Sequence, residues 1–574
     1  MRTLLHTLLV GASCALLPLS AHAELSFLGG ASLPNGGEIV SYSGGTLLTT
    51  NSLAGSSHAV QAYSIGAGGA LNTGVSVDLN SVFGGAAHIA SVSSVLADSR
   101  GFGVATVIPT ATGASDFGRL AIFELSTGNI LKTLDVGYHP DSVTITPDGT
   151  KLLVANEGEY GSTSSSTPEA INRNGSVSVV DIAGVTSGNY ASSLGALTSA
   201  AVSTYDFTAA NLASGVTLAG VRNNRLDTLT VKSPNAADVE PEYIAATNGT
   251  AYVSLQEGNA IATLDLSSGK FTRINSLGTI TQTIDASDRD GAGNTTLANR
   301  NDTVAGLPMP DTMKTFARGD TRYLVTANEG DARPDDGDLF RGSQQNTTVN
   351  GSLAPNIDSA VDPSVNNTGV GRLNLLKDQG DTDGDGDIDT PTMMGTRSFT
   401  VWKVNGDGSL SIAFDSGSMI EQFVIKNDLA SHNINSGSTA NFDTRSDDKG
   451  PEPEALEFAS FDGREFVFVG AERQNGIFQF DITDLNNVFI SGYYNPVTGT
   501  ADSGGAFISP ESITFIAAGD NPSGLNLIVV GFEGTGGNGS VATFAVTAIP
   551  EPASAAALAG LGMLGFAALR RRRG

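Results

Sequence analysis

In this chain of 574 residues, 59 acidic side chains oppose 31 basic ones, and the net charge of −28 argues against nucleic acid or anionic membrane as partners and in favour of divalent cations. Seventy glycines, a single tryptophan and few long helical patterns mark many short strands joined by polar turns. The length excludes one simple sandwich and calls for a large closed repeat or for two domains.

Residues 1–23 read as a secretory signal: Arg2 opens it, an apolar run extends from Leu4 to Leu19, and Ala21 and Ala23 frame His22 before Glu24. Cys14, the only cysteine, leaves with it, so the exported chain has no disulfide and no thiolate ligand. A lipoprotein signal would retain Cys14, but the preceding Gly-Ala-Ser lacks the expected Leu.

From Glu38 onward one pattern recurs. An acidic residue enters a short apolar strand, a polar turn leads to a second strand, a Glu-containing turn follows, and a third strand ends in Asp plus an aliphatic residue. Two looser copies begin at Glu38 and His88; sharper ones begin at Pro140-Asp141, Glu240-Pro241-Glu242, Pro310-Asp311, Glu452-Pro453-Glu454 and Pro510-Glu511. The peptides LLVANEGEY (152–160) and YLVTANEGDAR (323–333) are the same strand-to-turn passage in two copies. A single such sheet cannot bury both faces, whereas units stacked around an axis can. The expected fold over residues 24–547 is therefore all-β, a seven-bladed β-propeller of the WD/YVTN-like kind. The irregular spacing is assigned to polar loop insertions at 183–238, 268–305, 331–396 and 427–450; two separate domains are the alternative.

A propeller would gather Glu38, His88, Asp141, Glu242, Asp311, Glu454 and Glu511 at one mouth of its channel, where they can bind a metal or cationic group; otherwise each caps a turn. The Asn-Glu-Gly residues Asn156, Glu157, Asn328 and Glu329, with Glu257 and Glu472, follow second strands and read first as turn formers. The sharpest local motif is Asp381-Thr-Asp383-Gly-Asp385-Gly-Asp387-Ile-Asp389. It matches the first part of an EF-hand-type loop, with Asp381, Asp383 and Asp385 as carboxylate ligands, Gly386 at the sharp turn, a backbone oxygen from Asp387 and Asp389 at the ninth position. The twelfth position is Thr392 rather than Glu, so the last calcium ligand must come from elsewhere; the alternative is a solvated acidic loop. The exported histidines, His58, His88, His139 and His432, sit in no GxSxG or HExxH motif.

At the C-terminus, Pro550-Glu551-Pro552 precedes an apolar run from Ala553 to Leu569 and the cluster Arg570 to Arg573. Residues 548–574 resemble the PEP-CTERM sorting signal of Gram-negative bacteria. A transmembrane helix followed by arginines keeps its basic end in the cytoplasm, and the resemblance implies cleavage near Pro550 to Pro552 by an exosortase-type membrane protease. The protein then contacts membrane only through this helix before processing; a plain membrane anchor is the alternative.

The blocks HPDSVTITPDGTKLLVANEGE, DTMKTFARGDTRYLVTANEGDAR, GDTDGDGDID before GTRSFTVW, and GPEPEALEFASFDGREFVFVGAER resemble the choice-of-anchor I family, related to the mesenchyme-specific cell-surface glycoprotein. The resemblance implies a secreted or surface propeller protein with a C-terminal anchor. The expected role is a calcium-stabilised binding module at the cell surface or in the extracellular matrix, with extracellular polysaccharide or other surface components as partners and no enzymatic activity. The alternative is a calcium-dependent phosphatase or phytase-like phosphoesterase at the channel mouth.

Overall fold

The computed structural model describes residues 25–548, apart from 35, 54–56, 111–116, 159–172, 223–225, 228–229, 232–235, 237–238, 290–301, 332–337, 350, 359–368, 498–506 and 536–537. The signal segment, Pro550 to Pro552 and the expected transmembrane helix lie outside the described residues. Among those described, no helix is long and apolar enough to cross a membrane.

Seven four-stranded antiparallel sheets follow one another along the chain, and six of them run inner to outer in sequence order. Their innermost strands are Val40–Ser43, Ile89–Asp98, Pro140–Ile145, Pro241–Ala246, Met313–Arg318, Pro453–Phe461 and Pro510–Ile516. The last sheet is completed differently: its outer strand is Ser26–Leu33, paired from Ser26 opposite Ala545 to Leu33 opposite Gly539. The seven innermost strands line one channel of about 310 Å³.

Apolar side chains are buried between neighbouring sheets, with a separate cluster for every adjacent pair. Leu48 and Val107 pack between the first and second sheets, Leu120 and Val154 between the second and third, and Leu153 and Val253 between the third and fourth. Tyr252 and Trp402 join the fourth to the fifth, Phe399 and Phe480 the fifth to the sixth, and Phe468 and Phe532 the sixth to the seventh. Tyr63, Leu33 and Val529 bring the seventh back against the first, so the ring is closed and the architecture is propeller-like. Middle strands face a neighbouring sheet on both sides, which is why Ser176–Asp181 is buried at every position but its last.

The expected polar insertions are only partly loops. Stretch 183–238 contains the fourth strand of the third sheet, Val202–Asp206, and stretch 268–305 that of the fourth, Lys270–Ser276. The described residues of 280–307 and 338–394 build a lobe with its own small sheets and its own core of Phe340, Ile357, Leu373, Leu375, Ile388 and Met393. Apart from Ile280–Ile284 and Asp302–Leu307, its described strands have two or three residues, too short for periodicity to reveal. Arg222, buried with Asp338 and Asp378 at 3.0 and 2.6 Å, links this lobe to the preceding insertion.

The two Asn-Glu-Gly passages divide their work differently from the expected turn. Gly158 and Gly330 carry the left-handed backbone, with φ of 83° and 81°. The asparagines are buried hydrogen-bond hubs: Asn328 Nδ2 donates to the hydroxyls of Thr396 and Thr400, at 2.8 and 2.7 Å, while its Oδ1 accepts from Thr326 Oγ1 at 2.8 Å. Asn156 does likewise with Ser176, Ser178 and the Gly137 amide. Asn328→Ala strands several buried hydroxyls, and we expect a loss of about 2–3 kcal/mol in chemical denaturation.

Candidate functional site: the carboxylate-lined channel mouth

At four of the seven sheets, the residue before the proline at or just ahead of the innermost strand adopts a left-handed backbone: His139, Met309, Glu452 and Ser509, with φ of 46°, 43°, 55° and 58°. A non-glycine residue pays about 1–3 kcal/mol for that conformation, and a following proline normally favours extended backbone. The repeated distortion places a carboxylate immediately after each proline, at Asp141, Asp311, Glu454 and Glu511.

These converge with Glu38 and Glu242. Asp141 and Glu242 share a hydrogen bond, as do Glu454 and Glu511. Asp311 lies within electrostatic reach of Asp141, and Glu38 of Glu511. His88 is the exception: it is exposed on the one-turn helix Ala86–His88, and no hydrogen bond or ion pair ties its side chain to the ring among the described residues.

A second set interleaves with the first. Glu157, Glu257, Glu329 and Glu472, following the second strands, reach the same mouth, joined by Glu533. Carboxylate oxygens approach within 4.8 Å of one another in Glu157–Glu242–Glu257, in Asp311–Glu329–Glu454 and in Glu329–Glu452–Glu472. Their partners include His139, whose Nδ1 lies 2.5 Å from Glu157 Oε2, Gln256, whose Nε2 donates to Glu329 at 3.0 Å, and Arg473, which meets Glu472 at 2.6 Å.

Crowding of this kind moves protonation. Burial and the nearby Glu533 push Glu38 up to about 7, and burial with Glu157 raises Asp141 to about 7 despite His139. Burial, reinforced by neighbouring carboxylates, holds Glu242, Asp311, Glu454, Glu472 and Glu511 well above the ordinary range. Glu452 moves the other way: burial works to raise it, but Lys449, Arg445 and Arg473 outweigh that and hold it below its usual value. Lys449 pairs with both Glu329 and Glu452, and Arg445 with Glu452. Two of these cations come from insertion 427–450, so the loop expected to be a polar excursion supplies counter-charge to the mouth. The adjacent string Asp447-Asp448-Lys449 was the available signal, but a loop's direction of return is not written in its composition.

The choice-of-anchor I domain profile matches residues 38–485. The chain belongs to the choice-of-anchor I family. A PEP-CTERM protein-sorting motif matches residues 548–573, which makes this choice-of-anchor I protein an exported, surface-anchored protein of a Gram-negative bacterium and implies processing by exosortase-type machinery. Gigasin-3a of Magallana gigas is 29% identical over 206 residues, covering 33% of this chain and 69% of its own. Among solved structures, the Kuenenia stuttgartiensis hydrazine synthase aligns over 90% of this chain and 97% of its own at 11% identity and a TM-score of 0.41. A streptogramin B lyase aligns over 92% and 98% at 10% identity and a TM-score of 0.39.

Away from the mouth, the aspartate loop of this choice-of-anchor I chain is exposed on the inserted lobe. Oxygens of Asp381, Asp383 and Asp385 lie within 4.8 Å of one another, and Asp381 accepts from the amides of Gly384 and Gly386 at 2.7 and 3.1 Å. Asp389 folds back onto Thr382, accepting from its hydroxyl and amide at 2.7 Å each, and these bonds hold it below the ordinary range. Asp387 lies in a short strand beside Asn356. Thr392 is 1% exposed in a strand paired with Ala305.

Proposed function

We propose that this protein is a seven-bladed β-propeller delivered to the cell surface, where its acidic mouth and its Asp381–Asp385 loop take up divalent cations, calcium foremost, and present them to extracellular polysaccharide or other surface components. The observation that carries this reading is the pairing of carboxyl with carboxyl at the mouth, Asp141 with Glu242 and Glu454 with Glu511. Two such groups sit together only if a proton or a cation lies between them, and an all-oxygen donor set suits a hard ion.

Isothermal titration of the exported chain with calcium tests it. Asp383→Asn combined with Asp385→Asn, both in an exposed loop, is expected to remove about one bound calcium while changing stability by less than about 0.5 kcal/mol. An unchanged calcium count in that variant refutes the loop assignment. A wild-type chain that binds no calcium refutes the whole reading.

A second reading, a metal-dependent phosphoesterase, draws on Arg445, Lys449 and Arg473 standing beside the carboxylates, where an anionic ester would find both charge and hydrogen-bond donors. Calcium-dependent turnover of a generic phosphomonoester that disappears in Glu242→Gln would favour this reading over binding alone. Calcium uptake without turnover favours the module.

A further inference from the structure

One buried cluster belongs neither to the mouth nor to the aspartate loop. Asp285 follows the lobe strand Ile280–Ile284, while His432 and Asp443 come from insertion 427–450. The three are 4%, 0% and 6% exposed, and each offers a ligand atom within 4.8 Å of the other two. His432 Nε2 is 3.3 Å from Asp285 Oδ2. Its Nδ1 is fully buried and has no hydrogen-bond partner among the described residues. Leaving an imidazole nitrogen dry costs about 1–3 kcal/mol.

The supporting contacts resemble an outer shell around a metal. Asp285 Oδ1 is held by the Ser287 amide at 3.3 Å, which leaves Oδ2 facing the imidazole. Asp443 Oδ1 is held by Ser446 Oγ at 2.6 Å. Ser446 Oγ in turn accepts from Asn433 Nδ2 at 2.8 Å. Such bonds to the second oxygen of each carboxylate fix its orientation. The buried Arg397 bonds the Asp285 backbone carbonyl at 2.6 Å and gives its charge to Glu421.

We propose that Asp285, His432 and Asp443 form a buried binding site for a zinc-class divalent metal ion, which ties the inserted lobe to insertion 427–450. Two carboxylates and one imidazole suit zinc better than calcium, because nitrogen is a poor ligand for a hard ion. The site is independent of the mouth and of the aspartate loop.

The test loads the exported chain with zinc in excess calcium, which occupies all-oxygen sites, and counts zinc after dialysis. About one zinc per wild-type chain is expected, retained in Glu454→Gln and in Asp383→Asn/Asp385→Asn but lost in His432→Gln and Asp443→Asn. X-ray absorption of the zinc-loaded wild type, which needs no variant to fold, should show a shell of oxygen with one imidazole nitrogen. Zinc uptake that survives His432→Gln, an all-oxygen shell, or no uptake by the wild type overturns the proposal; the last leaves His432 and Asp285 as a hydrogen-bonded pair only. Loss of calcium binding at the mouth with zinc retained would sink the proposed function and leave this site standing.

Discussion

In chelator, the exported chain should melt at a lower temperature at pH 8 than at pH 5, and millimolar calcium should restore most of the difference at pH 8 and little at pH 5. The sign follows from the carboxyls of the mouth. Glu38, Asp141, Glu242, Asp311, Glu454, Glu472 and Glu511 hold their protons more tightly folded than unfolded, with Glu38 and Asp141 at about 7 in the fold. Between the unfolded values near 4 and those folded values, the native state carries more protons, so stability falls as pH rises through that window and the penalty is complete above it. Moving Glu38 from 4.5 to about 7 corresponds to about 3 kcal/mol, and several such groups act together. Glu454→Gln combined with Glu511→Gln should therefore raise the melting temperature in chelator at pH 8, flatten the pH profile and shrink the calcium increment. A profile that rises with pH in chelator would contradict this account of the mouth.

Arg397→Leu should cost about 3–5 kcal/mol and make insertion 427–450 the first target of limited proteolysis. Arg397 is 0% exposed and bonds Glu421 at 2.6 Å and the carbonyls of Ser446 and Asp448 at 2.7 Å each. Gly450 leaves room for it: at φ of 72°, a Cβ there would stand 2.6 Å from the guanidinium nitrogen. Removing the guanidinium leaves Glu421 buried without its cation and frees the segment that carries Lys449 and Arg445 to the mouth. Arg397→Lys should rescue only part of the loss, since one ammonium cannot span carboxylate and three carbonyls. Equal resistance to protease in wild type and Arg397→Leu would show that the insertion is held by other contacts.

The sequence made the repeat visible because strand, turn and strand recur at matching acidic positions, and a ring of sheets brings the starts of innermost strands together. That logic located six of the carboxylates now found around the mouth. His88 was included by position alone; its unit opens with a helical turn instead of a proline, and its imidazole lies exposed. Glu452 and its cations escaped notice because they act through an insertion whose path over the mouth is set by tertiary packing. The lobe built from residues 280–307 and 338–394 escaped for another reason, most of its strands having only two or three residues, too few to establish an alternation. Asn156 and Asn328 were read as turn residues, since composition alone cannot distinguish an asparagine that bends the chain from one that satisfies buried hydroxyls.

The strand Asn538–Ala545 is hydrogen-bonded along both edges, to Ser26–Leu33 on one side and Leu527–Thr535 on the other, and the sorting motif begins at residue 548. Tension on a surface-tethered molecule therefore enters through an inner strand of the last sheet, clamped along both edges. Pulling it free requires two ladders to yield together, one of them made by Ser26–Leu33, the first of the described strands. The same pairing that closes the ring makes the tether point a mechanical clasp.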